Sequence, residues 1–290
     1  MAVRERQVDE ACGIAHASAV MGDWWSLLVL REVARGHRRF DELVGELGVS
    51  RKVLTERLNH LTGNGVLRRV PYQDHPPRHE YEPTARGLAF LPVLVAMQDW
   101  ADRWLLGDGE LTATAAPDGA EATRAHDLVG ARVPDDVALA GPDGSTVDPI
   151  AAEAPATVLF TYPGTGRPHP AGWDTIPGTT GCTLENRLFR DRYDEFAAAG
   201  VAVHGVSTQR PDEQAAFAAA ERIPFPLMSD VDLRLAAALR LPCVRIAQQP
   251  RLKRLVAVVG ADRVVRHTIF PVLDIPAAVD EALRAARARR

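Results

Sequence analysis

Apolar positions recur with helical spacing through the first part of the chain. An apolar stripe follows Asp23, whose side chain is suited to cap the N-terminus of a helix. Residues 39–47 and the amphipathic segment 51–62 form two shorter helical patterns, separated by a three-residue turn that begins with Gly48. Two short helices joined by such a turn, with Ser50 capping the second, predict a helix-turn-helix.

The hydrophobic period then changes to that of strands. Residues 66–72 and 78–83 predict a β-hairpin, or wing, around the proline-rich tip 74–77. Thr84 is placed to cap a long helix that is predicted to run to about residue 106. The apolar face of this helix is long enough to pack against a second subunit, so we expect a homodimer. The face consists of Leu88, Leu91, Val95, Trp100 and Trp104.

Beyond this helix, residues 107–125 are small and polar with no sustained hydrophobic period, which predicts a linker. Runs rich in β-branched residues predict four strands, at residues 156–162, 201–207, 255–259 and 264–269. The last two resemble a closing hairpin, and a helical segment at 183–199 separates the first two. We therefore expect two domains: a mainly α winged helix-turn-helix domain at 1–106 and an α/β domain at 126–290.

Composition is that of a soluble globular protein, with 46% apolar and 25% charged residues. No apolar run approaches membrane-spanning length, and the chain begins with the charged residues Arg4, Glu5 and Arg6, so we expect a cytoplasmic protein without a membrane partner. Residues 1–106 hold 14 basic and 14 acidic residues, and residues 107–290 hold 20 and 24. Because neither part is basic, contacts to nucleic acid must come from local clusters.

Such a cluster lies in the predicted helix-turn-helix. A recognition helix needs small or basic residues at its N-terminal end, where they reach base edges and phosphates. Residues of this kind there are Ser50, Arg51, Lys52, Thr55 and Arg57. Three arginines flank the wing: Arg68, Arg69 and Arg78. The alternative is that these residues form only the solvated face of a small helical domain.

The wider pattern favours DNA binding, because residues 12–104 resemble the HxlR family of winged-helix regulators. The matching motifs include Gly22-Asp23-Trp24-Trp25, Val49-Ser50-Arg51-Lys52-Val53-Leu54-Thr55 and Pro76-Pro77-Arg78. The resemblance implies a dimeric regulator that places two recognition helices in successive major grooves of a roughly palindromic double-stranded DNA operator. Several regulators of this family carry an oxidant-responsive cysteine near the position of Cys12. The alternative for Cys12 is a buried packing residue.

Cys12, Cys182 and Cys243 are too few and too scattered for a disulfide scaffold or a zinc site, and we expect no metal and no cofactor. Cys182 follows a loop rich in glycine and proline and precedes an amphipathic helix. A helix N-terminus favours the thiolate, which attacks peroxides and becomes a sulfenic acid. Arg190, eight residues further along the same helix, is a candidate for further acidifying the thiol, or a surface charge.

Residues from about 126 to 283 resemble the peroxiredoxin and alkyl hydroperoxide reductase branch of the thioredoxin-like fold, particularly its bacterioferritin-comigratory members. The matching residues include Thr179-x-x-Cys182-Thr183, Phe189-Arg190-Asp191, Pro224-Phe225-Pro226 and Lys253-Arg254-Leu255. The resemblance implies that Cys182 is the peroxidatic thiol, that Thr179 places its hydroxyl on the peroxide oxygen, and that Arg254 supplies positive charge. The alternative is an inert cysteine on a degenerate scaffold.

Two departures from the family pattern bear on turnover. Thr175 stands where the family usually has proline, after a loop at 164–176 that is longer than usual, and Arg187 stands where many relatives have a resolving cysteine. A sulfenic acid at Cys182 would need Cys243, Cys12, another subunit or an external thiol, and Cys243 is alternatively a packing residue.

Three functions remain open at this point. The first is a DNA-binding transcriptional regulator that responds to peroxide through Cys182. The second is a thiol peroxidase that reduces a peroxide substrate with an external thiol reductant and carries a DNA-binding domain. The third is a regulator whose degenerate redoxin domain binds a ligand or supports oligomerisation.

Overall fold

The computed structural model describes residues 11–166 and 169–288, so Arg4, Glu5 and Arg6 lie outside the described part. The chain divides into two compact units, Met1–Leu91 and Pro92–Arg290. Within the described residues, no helix is both long enough and apolar enough to cross a membrane.

The first unit contains the predicted helix-turn-helix. Its helices are α1 (Gly13–Met21), α2 (Trp24–Ala34), α3 (Phe40–Leu47) and α4 (Arg51–Gly63). Asp23 caps α2 by accepting the backbone N–H groups of Trp25 and Ser26. Gly48 adopts the left-handed conformation that ends α3, with φ of 60°. The core of the unit includes five fully buried leucines: Leu30, Leu43, Leu54, Leu58 and Leu61.

The predicted wing is present, but the predicted long helix is interrupted. Strands β1 (Leu67–Gln73) and β2 (Arg78–Pro83) pair antiparallel, and Thr84 caps only the short helix α5 (Ala85–Leu88). A new helix, α6, spans Leu91–Trp104. The prediction of one helix from Thr84 to residue 106 was therefore wrong. Pro92 has no N–H and disfavours helical backbone before it, so it is accommodated in the first turn of a new helix.

The second unit is an α/β domain, as predicted. It contains most of α6 and these further helices: α7 (Ala120–His126), α8 (Cys182–Asp191), α9 (Tyr193–Ala198), α10 (Pro211–Glu221), α11 (Arg234–Leu239) and α12 (Ile275–Ala288). Its strands are β3 (Leu139–Ala140), β4 (Thr146–Val147), β5 (Ala156–Thr161), β6 (Val201–Ser207), β7 (Leu227–Ser229), β8 (Cys243–Ile246), β9 (Gln249–Leu252), β10 (Leu255–Gly260) and β11 (Val265–Ile269).

Seven of these strands form one mixed sheet in the order β11-β10-β5-β6-β7-β3-β4. The central strands β5, β6 and β7 are parallel, and the predicted closing hairpin β10–β11 pairs antiparallel at one edge. Helices α8 and α12 contact each other, and α12 contacts β5 and β10. Phe160 of β5 stacks on Phe189 of α8 with ring centroids 4.3 Å apart, so α8 is anchored in the core of the sheet.

Two details differ from the sequence pattern. The segment predicted as one helix at 183–199 is divided at Arg192 into α8 and α9, which places Phe196 of α9 in the core, where α9 contacts β6. The segment predicted as a linker, 107–125, includes the start of α7 and a fully buried residue, Ala113. The domain boundaries at 106 and 126 stay a prediction.

Candidate functional site

Cys182 is the first residue of α8 and lines a cleft, but only 3% of its surface is accessible to solvent. The loop before it turns sharply at Gly178 and Gly181, which have φ of +84° and +96°. A Cβ at Gly181 would lie 2.6 Å from the Ile275 side chain. Both this close contact and the positive φ therefore require glycine at position 181. The thiol is therefore at a helix start, as the sequence predicts, but it is buried.

Arg254 provides the cation of the site. Its Nη2 atom lies 3.2 Å from Cys182 Sγ and donates to the Thr180 carbonyl at 3.0 Å, while Nη1 donates to the Gly178 carbonyl at 3.2 Å. The guanidinium thus joins the sulfur to the loop that precedes it. Its planar fork can hold several acceptors in fixed directions at once, which a lysine could not do.

The carboxylate of Glu185 completes this cluster, and sequence reasoning missed it. Glu185 is 1% exposed and accepts a hydrogen bond from Arg254 Nε at 3.0 Å. Burial raises the pKa of Glu185 to about 7, against the opposing influence of Arg254. The available signal was its position three residues after Cys182, which places both residues on one face of α8.

The pKa of Cys182 is raised, contrary to the expectation of an acidified thiol. Burial raises this pKa most, Arg254 lowers it, and the Glu185 carboxylate raises it again. A thiolate removed from water loses hydration that one guanidinium and a helix start do not fully replace. The expected helix start and guanidinium are present, but the loss of hydration of the buried sulfur outweighs them.

Thr179 is buried in the loop before Cys182. Its hydroxyl donates within the loop, with the Trp173 and Ile176 carbonyl oxygens at 2.6 and 2.7 Å, and Cys182 Sγ lies 3.4 Å from the Thr179 carbonyl oxygen. These bonds fix the loop from residue 173 to residue 182. The predicted contact of the Thr179 hydroxyl with a peroxide oxygen stays a prediction.

The cleft beside the sulfur has a volume of about 800 Å³. Trp173 and Arg251 line it, and the Arg251 guanidinium lies 5.9 Å from the centre of the Trp173 ring. Thr175, at the position of the expected proline, ends a short 3₁₀ helix that begins at Trp173. The cleft is much larger than hydrogen peroxide and leaves space for a bulkier hydroperoxide or for a thiol.

The other two cysteines and Arg190 form hydrogen bonds with groups other than the Cys182 sulfur. Cys243 is buried and donates to the Leu241 carbonyl at 3.3 Å, and burial raises the pKa of its thiol far above the usual range, which favours the packing role. Cys12 is partly exposed, and its sulfur accepts the Ala15 N–H at 3.4 Å at the start of α1. Arg190 pairs with Asp191 and the Glu221 backbone rather than with the sulfur.

Arg187, at the usual position of a resolving cysteine, makes a bidentate ion pair with Glu221 at 2.7 and 2.8 Å. Its charge is therefore matched at the rim of the cleft.

The predicted DNA-contacting residues at the start of α4 are exposed: Ser50, Arg51, Lys52 and Thr55. Ser50 caps the helix, and Arg51 donates to Asp41 at 2.8 Å. Arg57 is less exposed and forms an ion pair with Asp23 at 3.2 Å. The start of α4 therefore presents donors and positive charge to solvent, while Arg57 is engaged inside its own unit.

The wing arginines are also exposed. Arg68 pairs with Glu82 across the hairpin at 2.6 Å, and Arg69 donates to Asn59 at 2.7 Å. Arg78 lies at the start of β2 near the tip. Exposed ion pairs of this kind contribute about 0–1 kcal/mol, so a DNA phosphate can replace the carboxylate at small cost.

Within residues 11–166 and 169–288, one group of side chains has the spacing of metal ligands. Ligand atoms of Glu32, His37 and Glu46 lie within 4.8 Å of one another. The buried Glu32 carboxylate already accepts hydrogen bonds from Arg31 at 2.6 Å and Arg35 at 2.5 Å. Its negative charge is therefore balanced by arginines.

Comparison with known proteins also divides the chain into two parts, although the first family match extends past Leu91 into the second unit. The sequence model of the HxlR-like helix-turn-helix family matches residues 20–108, and that of the AhpC/TSA family matches residues 174–268. An uncharacterized HTH-type transcriptional regulator of Synechocystis sp. is 44% identical over 95 residues, which are 32% of this chain and 70% of that protein. A candidate peroxiredoxin of Mycobacterium tuberculosis is 33% identical over 133 residues, or 46% of this chain and 79% of that protein.

Among solved structures, peroxidoxin BcpB from Mycobacterium tuberculosis is similar to part of this chain. The two are 30% identical, with a TM-score of 0.47, over 56% of this chain and 97% of that one.

Proposed function

Because the chain belongs to the HxlR-like helix-turn-helix family in its N-terminal part and to the AhpC/TSA family in its C-terminal part, we propose that it is a DNA-binding transcriptional regulator that responds to hydroperoxides through Cys182. The observation that carries the proposal is the 3.2 Å contact between Cys182 and Arg254 at the wall of an accessible cleft. In this proposal residues 1–106 bind DNA and dimerise, and residues 126–290 sense peroxide.

The chemical step is oxidation of the thiolate by a hydroperoxide. The sulfur of Cys182 attacks the terminal peroxide oxygen, so that an S–O bond forms as the O–O bond breaks. The sulfur loses two electrons, and the peroxide is reduced to an alcohol, or to water from hydrogen peroxide, once the leaving oxygen takes up a proton. Arg254 favours this step by stabilising the thiolate and the developing charge.

Although burial raises the thiol pKa, a small thiolate fraction suffices for reaction because cysteine thiolate is a strong nucleophile. Glu185 affects the size of this fraction. With a pKa of about 7, it is partly protonated at neutral pH, and only its ionised form competes with the thiolate for Arg254. The Cys182 thiol and the Glu185 carboxyl group therefore share the Arg254 guanidinium as their cation.

On the DNA side, the proposal places α4 in the major groove of an operator, with Ser50, Arg51, Lys52 and Thr55 toward bases and phosphates. The wing arginines Arg68, Arg69 and Arg78 face the adjacent backbone. Because an operator lies on chromosomal DNA, the proposal includes a cytoplasmic location for the protein.

The proposed partner for dimerisation is a second copy of this chain. Helix α6 carries exposed apolar side chains at helical spacing: Val93, Met97, Trp100 and Trp104, which are 43–56% exposed. Leu91 and Val95, which the sequence pattern placed on the dimer face, are instead buried within this chain. Such a stripe is typical of a helix that packs against another helix. A dimer would present two recognition helices to two half-sites.

The direct test is operator binding by the reduced and the peroxide-treated protein, on a DNA site selected from a random pool. We expect the affinity of the wild type to change after oxidation and that of Cys182→Ser to stay constant. Equal oxidant responses in the two proteins would remove Cys182 from the mechanism.

The second candidate function, a thiol peroxidase, is favoured by the size of the cleft, which can admit an external thiol after the peroxide has left. Peroxide consumption in the presence of thioredoxin or a small thiol distinguishes the two. Sustained turnover supports the enzyme, and a single stoichiometric oxidation supports the sensor. Failure to trap a sulfenic acid at Cys182 supports a third role, a thiol-independent ligand-binding or oligomerisation domain.

A further inference from the structure

A short segment between α6 and α7 contacts the loop that carries the thiol. Residues 111–114, here named the strap, lie in the stretch between the two family matches. Ala113 is fully buried, and its backbone N–H donates to the Pro177 carbonyl at 2.7 Å. Ala113 also belongs to a small apolar cluster with Trp173, while Leu111 packs against it. The strap is therefore docked rather than free.

The docking surface is the backbone of Gly178. A Cβ at this position would lie 2.6 Å from the Ala113 carbonyl carbon and 2.8 Å from the Thr114 nitrogen. Only a glycine allows the two backbones to approach so closely, and its φ of +84° is a second reason for glycine there. The loop and the strap are thus fitted to each other.

One guanidinium connects this contact to the sulfur. Arg254 touches Cys182 Sγ with Nη2 and the Gly178 carbonyl with Nη1. The preceding residue, Lys253, donates to the Thr114 carbonyl at 3.0 Å and pairs with Glu121 at 2.6 Å. Two adjacent side chains therefore bind the thiol loop on one side and the strap on the other.

The strap is also continuous with α6. The Arg103 side chain donates to the Gly109 carbonyl at 2.6 Å, and the Gly109 N–H donates to the Arg103 carbonyl at 2.9 Å. These bonds fold the chain back on the end of α6 just before the strap begins. The strap therefore begins two residues after a point that is bonded to the C-terminal end of α6, the helix that carries the proposed dimer stripe.

From these contacts we propose that the strap reports the oxidation state of Cys182: it is docked on Gly178 in the reduced protein and released when Cys182 becomes a sulfenic acid. The inference rests on the proposed function, since it requires oxidation of Cys182 by a hydroperoxide. In this proposal the oxygen added to the sulfur, 3.2 Å from Arg254 Nη2, displaces the guanidinium, which then loses its hydrogen bond to the Gly178 carbonyl and frees the loop to move away from Ala113. The two states of the strap are the coupling element between thiol and α6.

The test is hydrogen exchange of the full-length protein, read on peptides covering residues 107–119, before and after hydrogen peroxide. Intact mass reports whether Cys182 has gained oxygen. Loss of the Ala113–Pro177 hydrogen bond should speed exchange of the Ala113 amide about tenfold. Cys182→Ser should show no change on peroxide treatment.

A matched pair of variants tests whether release of the strap, without oxidation of Cys182, has the same effect. Ala113→Glu introduces a charged side chain at a buried strap position and should undock the strap, which gives fast exchange without peroxide. Its operator affinity should equal that of the oxidised wild type. Ala116→Glu, the same substitution at an exposed position three residues later, should behave as wild type.

The outcomes separate this inference from the proposed function. If Cys182 is oxidised and exchange of residues 107–119 is unchanged, the strap does not report oxidation, although the thiol remains a sensor. If peroxide adds no oxygen to Cys182, the proposed function fails and the strap has no oxidation to report. Ala113→Glu protein with wild-type exchange would also overturn the inference.

Discussion

Replacing Arg254 by methionine tests whether this guanidinium stabilises the thiolate of Cys182. The substitution keeps an unbranched side chain of similar length but removes the charge that lies 3.2 Å from the sulfur. An opposite charge at such a distance lowers a pKa by about 1 to 3 units. The thiol pKa should therefore rise by about this amount in the variant, at about 1.4 kcal/mol per unit.

At pH 7 the thiol is mostly protonated, so each unit of increase in its pKa reduces the thiolate fraction about tenfold. We expect the rate of oxidation by hydrogen peroxide to fall about 10- to 1000-fold, with the midpoint of the pH–rate profile shifted upward by the corresponding 1 to 3 units or so. Glu185 loses its cation as well and retains its proton more tightly, which relieves part of the repulsion.

The assay is single-turnover oxidation followed by intact mass from pH 6 to 11, because the raised pKa of the Cys182 thiol places the midpoint of the profile in the alkaline range. Arg187→Met is the matched control, because it removes a guanidinium five residues from the thiol that is bound to Glu221 instead. Its rate should stay within about twofold of wild type, as for most surface substitutions. If Arg254→Met reacts at the wild-type rate with an unshifted profile, the guanidinium does not control the thiolate.

Three further predictions follow from the described contacts. Glu185→Gln should lower the pKa of Cys182 and speed its oxidation above pH 7, because the competing carboxylate is gone; a pH–rate profile shifted upward would contradict this. Lys52→Ala should weaken binding to a selected DNA site and reduce the slope of log affinity against log salt by about 1, whereas an unchanged slope would place Lys52 away from phosphates. Phe189→Ala should lower the free energy of unfolding by about 3–5 kcal/mol in urea titrations, since Phe189 is fully buried against Phe160; a loss below about 1 kcal/mol would mean that the core closes around the gap.

Local sequence patterns were sufficient to predict most of the helices and strands. Asp23 and Ser50 cap the predicted helices, and the two wing strands pair around the predicted tip, because each of these features depends on residues close in sequence. The break before Pro92 could also have been read locally, since proline disfavours helical backbone at the preceding residue. The division at Arg192 followed instead from the packing of Phe196 in the core, which no local signal indicates.

By itself the sequence determined a DNA-reading helix-turn-helix, an α/β second domain and a cysteine at the start of a helix. Only the tertiary structure decided the environment of that cysteine. It buried Glu185 beside Arg254 and docked residues 111–114 on Gly178. It also set the direction of the Cys182 pKa, because desolvation depends on everything packed around the sulfur. Helix caps and hydrophobic periods depend on neighbours along the chain, whereas burial and ion pairing depend on residues that only folding brings together.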